Sequence, residues 1–108
     1  MKYEVIVTPE AQANVAAAYR YIAEHSPMNA AKWVGDLYAQ IDGLERFPRR
    51  FEEAREQSHV KSEIRQIAFK SHRVIFAVDD ARRKVYVVFV RHAKMRAVGE
   101  SAEMDDGA

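Results

Sequence analysis

The residues best equipped for chemistry are basic, and they collect late in the chain. Arg65, Arg73, Arg91, His92, Lys94 and Arg96 all fall within residues 61–96, which hold 10 Lys/Arg against 3 Asp/Glu, a net charge of +7. Residues 1–60 carry −2 and residues 97–108 carry −4, so the overall +1 conceals the asymmetry. Guanidinium forks offer paired donors that match phosphate or carboxylate. A block of this sign is the footprint expected for a polyanion or an acidic protein partner. The plainer explanation is a set of strands with a solvated basic face. His92, beside such arginines, has the right type for a general acid or base, or else simply closes a strand. The four histidines (25, 59, 72 and 92) lack metal-ligand spacing, and cysteine is absent. The four glycines are isolated, so no phosphate loop exists, and no strand–Ser–helix nucleophile turn is present. Asp79-Asp80 reads as turn chemistry rather than a catalytic carboxylate pair. A metal site, thiol catalysis and a bound cofactor are therefore not expected.

The elements that must position these groups follow from periodicity. Arg73–Val78 and Val85–Val90 are rich in β-branched and aromatic residues and flank a polar turn, the signal of two paired strands. Pairing brings Arg73 beside Arg91 and His92 at one rim. Glu63–Phe69 precedes them as a third strand, and Tyr3–Val7 opens the chain as a fourth. Within each strand alternate residues share a face. Arg65, Arg73 and Arg91 converge only if the strand register points their three sets the same way.

Thr8-Pro9 and Ser26-Pro27 each place a capping hydroxyl before a proline, which starts a helix twice. The first helix runs to about Glu24-His25, with Ala11, Val15, Ala18 and Ile22 as its buried stripe. The second, with Ala30, Trp33, Leu37, Ile41 and Leu44, is expected to reach Phe47 before Pro48 stops it. Trp33 belongs to the core in this reading. Gly35 and Gly43 inside it imply a close backbone approach as compensation. Pro48–Ser62 is aperiodic and reads as a long loop or short helical turn. The order strand–helix–helix–strand–strand–strand gives an α+β fold, an antiparallel sheet with a helical hairpin on one face. Residues 1–96 form one domain, and Ala97–Ala108 reads as an acidic, disordered tail. No apolar run approaches a membrane span, and the absence of cysteine fits a reducing cytoplasm.

Taken together, TPEA, YRYIAEHSPMNAAKWV, LERFP, EIRQI, RVIFAVDD and VYVVFVRHAKMR resemble the RelE/ParE superfamily of bacterial type II toxin–antitoxin toxins over residues 2–96. The resemblance implies a small cytoplasmic toxin that inhibits growth, serves plasmid stabilisation and is neutralised by a cognate acidic antitoxin in a hetero-oligomer. It also implies one of two targets: mRNA on the ribosome for the RelE branch, DNA gyrase for the ParE branch. Arg73 matches the arginine of the R-x-x-x-[FY] strand, Lys94 or Arg96 the later basic residue, and Arg65 loosely the lysines of the preceding strand. No Tyr or Phe follows Phe89, so the terminal aromatic of the nuclease pattern is missing. The ending VRHAKMR is similar to the ParE-like V-x-H-G-x-R, with Ala93 in place of glycine. The expectation is a ParE-like toxin that acts by binding gyrase, using Arg65, Arg73, Arg91, Lys94 and Arg96. The alternatives are a ribosome-dependent endoribonuclease using Arg65, Arg73, His92 and Arg96, or a non-toxic structural partner of the antitoxin. The antitoxin is expected to lay a helix across the hairpin or to add a strand to a sheet edge.

Overall fold

Two hydroxyl caps start the helical layer. In the computed structural model, which describes residues 2–94, the Thr8 hydroxyl accepts a hydrogen bond from the Ala11 backbone N–H at 3.2 Å. Ser26 does the same for Asn29 at 3.1 Å. Helix α1 spans Pro9–His25 and α2 spans Pro27–Asp42. Ser26 alone separates them, which folds the pair into a hairpin. Helix α2 stops five residues short of the expected Phe47. Gly43 opens a 3-10 turn over Gly43–Glu45, and a second such turn covers Pro48–Arg50. A side chain at Gly35 would meet nothing within 4 Å. The close approach expected there does not exist, and the helix simply carries the propensity cost of about 1 kcal/mol.

Five strands form one sheet in the order β1-β5-β4-β3-β2, where β1 is Glu4–Val7, β2 Glu52–Glu53, β3 Ile64–Phe69, β4 His72–Asp79 and β5 Lys84–His92. β2 to β5 pair antiparallel. β1 runs parallel to β5, with Val5 opposite Val85. The α+β architecture with the hairpin on one face therefore stands, and the sheet is mixed at one edge. Ile67, Val74, Phe76, Val85, Val87 and Val90 meet Trp33, Leu37 and Ile41 in the main core. Phe76 is fully buried there, a burial that stabilises by about 1.5–3 kcal/mol.

The stretch from Pro48 to Ser62 is more ordered than its polarity suggests. It contributes β2 and a 3-10 turn over Arg55–His59. Ala54 packs with Ile64 and Ile75 into a second, smaller core on the sheet face away from the helices. That face is thus covered in part by the chain itself. No described helix is long and apolar enough to cross a membrane. The expected tail, Ala97–Ala108, lies outside the described residues, as does Arg96.

Candidate binding surface

The hairpin of β4 and β5 forms the rim expected of it. His72 pairs with His92, and Arg73 with Arg91. Successive residues point to opposite faces, so the rim divides. The His72 ring lies 5.2 Å from Trp33 and 5.3 Å from His92, on the helix side. Arg73 and Arg91 take the other face.

Arg65 does not join them. β3 and β4 are linked by the two-residue turn Lys70-Ser71, with Phe69 opposite His72, which sets Arg65 opposite Phe76 on the helix side. There its Nε donates to Glu63 at 2.8 Å and its Nη1 to the Phe51 carbonyl at 2.8 Å. The parity condition for three converging arginines is therefore not met. Lys94 sits just past β5, where its backbone N–H donates to His92 Nδ1 at 3.1 Å.

Arg73 is 4% exposed, too little for a group meant to receive a phosphate from solvent. Its guanidinium is held by a carboxylate of the same chain. Nη1 and Nη2 donate to Glu56 Oε1 and Oε2 at 3.0 and 2.8 Å, and Nη1 also donates to Gln66 Oε1 at 2.8 Å. Gln66 Oε1 in turn accepts from the Arg55 backbone N–H at 3.2 Å, and Gln66 Nε2 donates to Glu52 at 2.7 Å. The Arg73 fork thus fastens the 3-10 turn at Arg55–His59 onto the sheet. Glu56 was not legible as a functional residue, because nothing in EEAREQS marks which acid turns inward.

On the helix side a cleft of about 660 Å³ opens between α1 and the rim. Tyr21 and Trp33 line it along one wall, Lys70, His72 and His92 along another. Burial, and then the neighbouring His92, push the His72 imidazole below its ordinary value near 6.5.

A family model described as "ParE toxin of type II toxin-antitoxin system, parDE" matches residues 5–97. The chain belongs to the ParE toxin family. The ParE fold is matched at a TM-score of 0.70 and 18% identity by a structure of a chromosomal ParDE toxin–antitoxin system from P. aeruginosa, over 86% of this chain and 98% of that one. The RelBE2 toxin–antitoxin complex from Mycobacterium tuberculosis matches at 0.54 and 19%, over 85% of this chain and 99% of that one. A search of the curated proteins gives no match.

This ParE chain carries a second polar cluster at the far end of the sheet, which the sequence did not announce. Arg49 bridges Glu63 at 2.7 Å and Asp80 at 2.9 Å. Hydrogen bonds from Arg49 hold both carboxyls below their usual range. The Arg83 guanidinium stands 4.3 Å over the Tyr3 ring. Tyr3, Pro48, Arg49, Arg50 and Arg83 line a depression of about 620 Å³ whose edge is Phe47. In the sequence LERFP marks a helix end and a family resemblance, and the exposure of its phenylalanine has no signal in the pattern.

Proposed function

We propose that this toxin arrests growth in the cytoplasm by binding a cellular target, DNA gyrase foremost, with no bond-making step of its own. An acidic antitoxin neutralises it. The observation that carries the reading is the Arg73 guanidinium, whose Nη groups are occupied by Glu56 and Gln66 in a buried site. A phosphate-gripping arginine must offer those donors to its ligand. Arg65 faces the helix layer rather than Arg73, which counts against a nuclease set that needs both. Family membership supports the antitoxin, and the basic rim of Arg91, His92 and Lys94 supports its acidic character.

Expression from a tightly controlled promoter, with and without the adjacent gene, tests the toxin reading. Arrest without the neighbour and growth with it are expected. Purified toxin should then inhibit gyrase supercoiling and leave mRNA intact on translating ribosomes. Codon-dependent cleavage with untouched supercoiling would replace the gyrase reading with the ribonuclease one.

A further inference from the structure

Phe47 is held where a phenylalanine does not belong. It takes the left-handed conformation, φ 48° and ψ 55°, directly before Pro48. That region is an outlier for bulky residues, and a following proline further favours extended backbone. Glycine is the usual occupant just past a helical end. Packing would compensate for the strain, yet Phe47 is 77% exposed. The fold nevertheless buttresses it. The Arg50 guanidinium donates to the carbonyls on both sides of the residue, those of Arg46 and Phe47, and reaches Gly43 O at 3.4 Å. The Arg50 backbone N–H also donates to Phe47 O at 3.0 Å. Arg50 itself is seated 4.4 Å over the Phe51 ring.

We infer that Phe47 is the anchor by which the toxin engages the target it inhibits. The partner fits as a protein surface with an apolar socket for the ring and a carboxylate for Arg46, whose side chain is 61% exposed and touches Glu45 only through Nε, at 4.0 Å. An exposed aromatic on a buttressed backbone beside arginines has the composition enriched at interface cores. A nucleic-acid backbone fits less well, because Glu63 and Asp80 share the patch and Arg49 is engaged with both. Phe47 also lies outside the +7 block and at the end of the sheet away from the His72–His92 rim. The toxin thereby presents separate surfaces to an acidic antitoxin and to its target.

This inference rests on the toxin reading, and its test separates the two. Phe47→Gly relieves the left-handed strain, so the variant should melt at or above the wild-type temperature. At equal expression it should fail to arrest growth, and at least about tenfold more purified protein should be needed to inhibit gyrase supercoiling. Phe47→Tyr should retain arrest. A stable Phe47→Gly protein that arrests growth like wild type overturns the assignment, as does a variant that loses arrest only because it unfolds. Should wild type arrest growth without touching supercoiling, gyrase is removed as the target. The growth comparison still decides the role of Phe47.

Discussion

Removing Glu56 is the sharpest test of how the open sheet face is built. The Arg73–Glu56 pair is almost fully withdrawn from solvent, with side-chain exposures of 5% and 2%. It is bidentate, at 3.0 and 2.8 Å. Glu56→Ala strips the guanidinium of two charge-assisted bonds and leaves its charge buried beside Gln66. Breaking a buried pair from one side costs about 3–5 kcal/mol. In a domain of this size, that lowers the melting temperature by more than about 10 °C. Replacing both partners with apolar residues, Glu56→Leu with Arg73→Met, removes the desolvation penalty together with the attraction. The double variant should therefore be more stable than either single one, with a coupling of at least about 2 kcal/mol. Urea unfolding followed by circular dichroism, with the slope checked for constancy, measures wild type, Glu56→Ala, the single variants Glu56→Leu and Arg73→Met, and the double variant. A Glu56→Ala cost below about 1 kcal/mol would show that the pair is not the fastening described here. The folded double variant should still arrest growth. If it does not, Arg73 touches a partner and the fastening role is incomplete.

Two further outcomes are expected. The lowered pKa of His72 means that the folded state binds fewer protons than the unfolded chain near pH 6. Stability is then full above the unfolded value near 6.5, declines as pH falls below it, and levels off beneath the folded value. Melting temperatures measured between pH 7.5 and 5 should show that slope flattened in His72→Phe, and an unchanged slope would discard His72 as its source. Thr8 accepts from Ala11 and donates to Val87 O at 3.0 Å, whereas Ser26 only caps. Thr8→Ala should therefore cost about 1–2 kcal/mol and Ser26→Ala about 1 kcal/mol or less. The reverse order in urea unfolding would contradict the tie between α1 and β5.

What the sequence made legible was local. Thr8-Pro9 and Ser26-Pro27 specify their helices because the capping oxygen, the proline and the first turn are neighbours. The β4–β5 hairpin is equally plain, since alternation survives along both strands. The arginine arrangement was not legible, because it depends on parity. A two-residue turn at Lys70-Ser71 sets odd positions of β3 against even positions of β4, while β5 meets Arg73 with Arg91. A register slip of one residue between β3 and β4 would put Arg65 and Arg73 on the same face. The Arg55–His59 turn was hidden for a related reason. It is fixed by Glu56 to Arg73 and by Gln57 Oε1, which accepts from the Ile64 N–H at 2.7 Å. Such contacts leave no periodicity in the stretch itself. The end of α2 differs from the expectation because the chain tightens into a 3-10 turn at Gly43–Glu45, before Pro48 forces it to stop.

The parallel pairing of β1 with β5 has a consequence in time. Glu4 finds its partner at Lys84, and α1 packs on the same last strand, with Asn14 Oδ1 accepting from the Val90 N–H at 2.9 Å. β1 thus has no strand to pair with until β5 has been made, whereas Trp33 of α2 packs on Phe69 and His72 of the earlier strands. At about 5–20 residues per second, the wait is roughly 4–16 s. The long sequence separation also slows closure once the strand arrives. A chain cut short before Lys84 lacks both the β1–β5 edge pair and the His72–His92 rim, so the toxin gains these surfaces only once β5 has been made.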